Sequence, residues 1–289
     1  MKRSYKNNHY SIIISQSMGI VLEKEAEKEI EGIKMGYIIK SFIIAFAMYS
    51  KVPMPKVDWS KKNMRYVMCF FPVIGIVIGG VIYGWSMIAY YLNITPILYT
   101  IVIILIPLLI TGGIHIDGFM DTLDALNSYQ TREKKLEILK DPNTGAFAVI
   151  GCVAYYLLTF GVWYEVNKIQ LPILFIGFVL SRALSGLSVV TFPLAKNSGL
   201  VSMFANEANK RLTKKVMIAF IIISSISMIM IHVVVGSICL ASAALAFIYY
   251  YRISMKEFGG ITGDLAGYFL QLCELVMVIG VMIGGKLCG

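Results

Sequence analysis

The sequence predicts an all-α fold: a polytopic membrane bundle of about seven spanning helices, with an N-terminal interfacial or re-entrant helix beside them. Three observations carry that prediction. Of 289 residues, 57% are hydrophobic and only 15% are charged, with a mean hydropathy of +0.73, whereas soluble domains carry roughly 25% charged residues. Residues 66–116 and 216–251 contain no Asp, Glu, Lys or Arg, and each run is too long for a single span of about 20 residues. The remaining charges collect in alternate connections. Together these features exclude a soluble enzyme, a disordered chain and a disulfide scaffold.

The elements follow in order. Tyr10 to Leu22 is apolar but interrupted, with no small-residue cleavage site, so it is not a signal peptide. Glu23 to Lys34 alternates acids and bases, as a solvated helix face does. Tyr37 to Ser50 is short and holds Lys40, which suits a tilted span, a re-entrant segment or an interfacial helix. The six basic residues of the N-terminal tail favour a segment that does not cross and a cytoplasmic N-terminus. Spans follow at about 67–92 and 96–113, broken at Asn93, Thr95 and Pro96. A polar stretch from His115 to Asp141 precedes a span at about 145–164. The next runs over 171–192 and carries Arg182. Two short spans fit residues 216–251 and part near His232 to Ser237. The last covers 264–285 and contains Glu274.

Topology is read from the basic residues. The connections at 51–66, 114–144, 193–215 and 252–263 hold 16 Lys and Arg, while the opposite connections hold only Lys168. The positive-inside rule puts the basic side in the cytoplasm. The net charge of +9 is then a topology signal: the expected partner is the lipid bilayer, and no nucleic acid is implied. The five cysteines form no CxxC pair and read as small core hydrophobes.

The acids are concentrated. Asp117, Asp121 and Asp124 lie at i, i+4 and i+7 in a segment opened by Gly112, Gly113 and His115, so a helix would put all three carboxylates on one face. Like charges this close require neutralisation. A hard divalent cation supplies it, and Mg²⁺ prefers one or two carboxylates together with waters and substrate phosphates. Gly112 and Gly113 allow the backbone to approach a ligand closely. A second glycine-rich segment, Gly259 to Asp264, places Gly260, Thr262 and Gly263 at a helix start, where N–H groups suit a phosphate. Asp264 could complete a metal site or act as a cap. Arg182 and Glu274 each sit ten residues from the basic end of their spans. At 1.5 Å per residue both lie about 15 Å deep, which suits an ion pair inside the bundle.

Six segments in order give a family resemblance. The string GGIHIDGFMDTLDAL resembles the signature of the cobalamin synthases, the adenosylcobinamide-GDP ribazoletransferases. VPMPKVDW, FFPVIGIVIG, LEILKDPNTGAFAVIG, SRALSGLSVVTFPLAKNSGL and GGITGDLAGYFLQLCELVMV resemble further segments of that family, and the likeness covers about Ser41 to Ile283. Residues 1–35 lie outside it, as a variable cytoplasmic extension before a single membrane domain at 36–289. The resemblance implies joining of adenosylcobinamide-GDP to α-ribazole or its 5′-phosphate, with release of GMP and with Mg²⁺ as cofactor. Asp117, Asp121 and Asp264 would hold the ion on the diphosphate, with Asp124 joining directly or through water. His115 or a nearby Asp would accept the hydroxyl proton. Lys140, Asp141, Arg182, Lys196 and Glu274 are candidate substrate-binding residues. The aromatics Tyr129, Phe147, Phe192 and Phe204 suit a docking surface for the corrinoid, against a default of core or interfacial packing. Lys196 stands where the family pattern suggests Arg, which keeps the charge and loses the bidentate geometry.

Two other readings share these features. Membrane prenyltransferases and CDP-alcohol phosphotransferases also bind diphosphates through aspartates, but they would call for a second aspartate-rich cluster, and here it reduces to Asp264. A cation transporter would place its acids at mid-membrane in repeated halves, and no such repeat is evident.

Overall fold

A computed structural model describes residues 35–196 and 199–288, all helix and connecting turn apart from one isolated β-bridge. The N-terminal extension expected over residues 1–35 lies outside the described residues save for Met35. Helix α1 is Met35–Tyr49, and α2 is the single turn Lys61–Met64. Three elements then follow: α3 (Phe71–Tyr91), α4 (Pro96–Thr111) and α5 (Ile114–Asn127). The short α6 (Arg132–Ile138) precedes α7 (Ala146–Glu165) and α8 (Leu171–Thr191). The chain closes with α9 (Leu200–Glu207), α10 (Lys210–Ile231), α11 (Val233–Ile253) and α12 (Gly263–Cys288). Among the described residues, six helices are long and apolar enough to cross a membrane, or seven if the bent pair α4–α5 is one span.

Local chemistry sets the helix starts. Pro72, Pro96 and Pro172 stand in the first turns of α3, α4 and α8, where a missing N–H costs nothing. Asn209 accepts from Leu212 N to cap α10. His232 marks the break between α10 and α11, and its Nδ1 accepts from Val235 N at 3.3 Å. Its placement at a helix boundary agrees with the sequence.

The interior is built around α8 and α12, the most buried of the long helices, with α3 next, while α7 and α10 leave most of their apolar surface exposed. Side chains such as Ile222, Ile223 and Met230 on α10 and Leu157 on α7 stand open, as a lipid-facing surface does. Between α8 and α12 lies the expected ion pair: Arg182 Nη1 meets Glu274 Oε1 at 2.6 Å, with Arg182 only 1% exposed. The same nitrogen donates to Phe178 O at 2.9 Å.

The four basic connections meet at one end of the bundle. Asn209 N donates to Arg65 O, and Lys61 pairs with Glu207. Lys135 reaches Glu257 at 2.6 Å, and Arg132 donates to Lys256 O. Leu194 and Ile261 form a parallel bridge. Helix α1 joins this end at both of its own ends. Lys40 pairs with Asp58 and Ser41 donates to Asn63 O, while Tyr49 lies against Phe71 and Phe204. Both ends of α1 thus contact this one end of the bundle, and the helix is shorter than the helices that qualify as spans. Of the cysteines, Cys239 and Cys273 are core residues, Cys69 and Cys152 are half-buried, and Cys288 is exposed. That last position departs from the expected core role: Cys288 ends α12 beside Leu287, which is also exposed.

Candidate active site

The site starts from a break in the chain. Gly112 and Gly113 both adopt left-handed backbone, with φ of 66° and 84°. Two such residues in succession are open only to glycine at low cost. They end α4 and turn α5 by 93°. Read from sequence, this pair suited close approach to a ligand; in the structure Lys51 covers Gly112, and the pair's evident work is the bend.

The bend lays α5 against α7 and α12. A methyl on Gly118 would lie 2.8 Å from Cα of Asp264, so the two backbones touch. That contact brings Asp264 to the face carrying Asp117 and Asp121. Asp121 is half-buried, and its charged neighbours are Asp117, Asp264 and Asp124. The i, i+4, i+7 face is formed. Among the described residues no basic side chain pairs with Asp117, Asp121 or Asp264.

Asp124 is differently placed. Its Oδ2 accepts from Gly145 N at 2.6 Å and its Oδ1 from Ala148 N at 2.9 Å. Both oxygens cap the first turn of α7, a charge-assisted use of the helix N-terminus. Asp141 likewise serves its own turn, accepting from the backbone and side chain of Asn143. It lines neither of the two cavities described next.

Two adjoining cavities open on the acidic face and share Val201, Gly263 and Asp264. One, of about 310 Å³, is lined by Lys140, Lys196, Ser202 and Thr262. Lys196 Nζ donates to Leu136 O at 2.5 Å. Burial, and then the charge of Lys140, hold the Lys196 ammonium below the usual lysine range. The other, of about 340 Å³, is lined by Tyr49, Phe71, His115, Asp117 and Phe204. His115 is 5% exposed, and its Nε2 has no hydrogen-bond partner among the described residues.

The Asp264 segment is held by the bridge to the α8 exit. Ile261 N donates to Pro193 O and Ala195 N to Ile261 O. Any side chain on Gly260 would strike Ala195 N and Leu194, so this glycine permits strand-like contact between two loops. Thr262 Oγ1 accepts from Leu265 N at 3.2 Å and caps α12. Arg182 and Glu274 are spent on each other below the site. Arg182 lines neither cavity.

The profile of the cobalamin-5-phosphate synthase family matches residues 41–282. The chain belongs to this family. A relative from Lachnoclostridium phytofermentans is 46% identical over 245 residues, which cover 85% of this chain and 94% of that one. Relatives from Clostridium botulinum and Clostridium perfringens are 34% and 31% identical, covering 84% and 86% of this chain and 96% and 100% of theirs. All three are named adenosylcobinamide-GDP ribazoletransferase. No solved structure matches.

Within this family framework, sequence reasoning missed Tyr49 and Phe71 as site residues. Tyr49 ends a helix too short to span, and Phe71 opens an apolar run that looks like any other span start. Phe204 was noted among four aromatics suited to a docking surface, and it does line a cavity. The other three do not line either cavity: Tyr129 is 89% exposed, Phe147 is exposed, and Phe192 packs on Phe247 and Tyr251.

Proposed function

We propose that the chain joins adenosylcobinamide-GDP to α-ribazole or its 5′-phosphate, giving adenosylcobalamin or its 5′-phosphate and GMP. It is a membrane transferase of cobalamin synthesis. The observation that carries the site assignment is the group of carboxylates around Asp121, unpaired with any base among the described residues and next to a lysine-lined cavity.

In the reaction a ribose hydroxyl attacks the corrinoid-side phosphorus of the diphosphate. A new P–O bond forms, the bond to the GMP oxygen breaks, and the hydroxyl proton passes to the enzyme. Such a transfer depends on positioning and charge stabilisation. Lys140 and Lys196 contact the phosphates of the GDP moiety. His115 or a carboxylate of the cluster takes the hydroxyl proton. Arg182 and Glu274 fix α8 against α12 and act through position.

The carboxylates fit Mg²⁺ of a particular kind. Among the described residues no three His, Cys, Asp or Glu side chains converge as a ready-made metal site. An ion held by one or two carboxylates and completed by substrate phosphates matches that arrangement and the habits of Mg²⁺. One or two of Asp117, Asp121 and Asp264 would hold it, and Asp124, already accepting two amides, would join through water. The bound ion would offset charge on the diphosphate and on the departing GMP.

The site faces the cytoplasm on this reading, because the connections gathered at its end carry the sixteen basic residues. The test is direct. Protein in liposomes receives adenosylcobinamide-GDP, α-ribazole 5′-phosphate and Mg²⁺; cobalamin product and stoichiometric GMP are expected. Absence of product, with an active relative run alongside, overturns the proposal. Orientation is checked with Gln130→Cys in a Cys288→Ser background. Labelling from the periplasmic face would refute the cytoplasmic site.

A further inference from the structure

We infer that the 340 Å³ cavity beside Asp117 and Asp264 is the site for the ribosylated aromatic base, and that Tyr49, Phe71 and Phe204 select for an apolar ring. This rests on the transferase reading above and deepens it.

The cavity lies at the lower end of the roughly 300–1,000 Å³ that small-molecule sites occupy. It takes a nucleoside and excludes a corrin macrocycle. Its walls are rings. Tyr49 lies 4.6 Å from Phe71 and 5.8 Å from Phe204, centroid to centroid, and 6.4 Å from His115. Met48 and Met68 add soft thioether surface. Phe71 and Phe204 are almost fully buried, and Tyr49 OH is turned onto Met68 Sδ at 3.7 Å. A flat apolar ring gains stacking and burial from such walls.

Guanine is the competing occupant, and the chemistry of the walls argues against it. A guanine brings several donors and acceptors that require partners when buried. The polar equipment is instead Asp117, Asp264, Ser185 and the Nε2 of His115, unpartnered among the described residues. Asp264 lies on the shared border with the lysine cavity. A base among the rings therefore sets its ribose toward His115 Nε2 and the acidic border, where the attacking hydroxyl is needed. The GDP phosphates lie on the lysine side.

The experiment reads the two substrates separately on the full chain in nanodiscs. Tyr49→Leu and Phe204→Leu are expected to raise KM for α-ribazole at least about tenfold and leave KM for adenosylcobinamide-GDP within about twofold. Unchanged corrinoid KM also certifies the fold. A rise confined to the corrinoid substrate, or no change in either, overturns the assignment. A second measurement needs no variant. With the wild-type chain, kcat/KM should rise from α-ribosyl-benzimidazole to its dimethyl form by about fourfold per methyl group, and the adenine riboside should fall below both. Rates blind to the base would overturn the aromatic site and leave the transferase reading standing. No product from any base would remove the transferase reading itself.

Discussion

Gly118 and Asp264 are in backbone contact: a methyl on Gly118 would stand 2.8 Å from Cα of Asp264. Residues 146 positions apart in sequence are thus held at a fixed spacing by the lack of one side chain. The carboxylates of α5 and α12 depend on it.

Gly118→Ala tests that dependence. The neighbour is backbone, so no rotamer change relieves the clash, and overpacking of this kind costs about 1–3 kcal/mol. The expected result is a lower Tm in detergent and a kcat/KM reduced at least about tenfold. Wild-type activity would show that the spacing is not critical.

Asp121→Asn and Asp124→Ala should separate function from stability. Asp121 is surrounded by three carboxylates, so removing its charge relieves repulsion; Tm should hold or rise while Mg²⁺-dependent turnover falls at least about a hundredfold. Asp124→Ala strips the cap from α7 and should cost about 1–2 kcal/mol. Thermal unfolding beside Mg²⁺ titration of turnover reads both. Full activity of Asp121→Asn would refute its metal-ligand role.

The Arg182–Glu274 pair predicts asymmetric losses. Glu274→Leu leaves a buried guanidinium without its partner and should cost about 3–5 kcal/mol. The double replacement Arg182→Leu, Glu274→Leu should recover much of that. A double variant less stable than either single one would contradict the account, and unfolding curves in one detergent decide it.

Lys196 gives a pH dependence. A lysine binds phosphate only as its cation, present below its pKa and lost as pH rises. Burial and Lys140 lower that pKa from the ordinary 10.5, so KM for adenosylcobinamide-GDP should climb at a lower pH than a free lysine would give. Lys140→Met removes one cause and should move the climb upward. Lys196→Arg should abolish it across the alkaline range. An unchanged profile in both variants would exclude Lys196 from phosphate binding.

The spans were legible because apolar runs and proline starts are local signals. The Arg182–Glu274 pair was legible because depth can be counted along a helix. The shared face of Asp117, Asp121 and Asp124 followed from helical period. What escaped the sequence was non-local. The two amides that engage Asp124 lie at the start of a different helix, 21 and 24 residues onward, so its capping contacts could not be read from helical period. Gly112 and Gly113 signalled close approach without saying to what, and the answer was a 93° turn. Tyr49 was hidden by the brevity of α1, since nothing local shows that its last ring faces the site.

The bridge between Leu194 and Ile261 and the contact between Gly118 and Asp264 also bear on biogenesis. Asp264 stands on the last helix of the described chain, while its partners in the site are translated far earlier. A nascent chain halted before Gly263 would hold its acidic helix in the membrane with one wall missing. The carboxylate group around Asp121 is therefore assembled only once the last described helix has been made and has docked on α5.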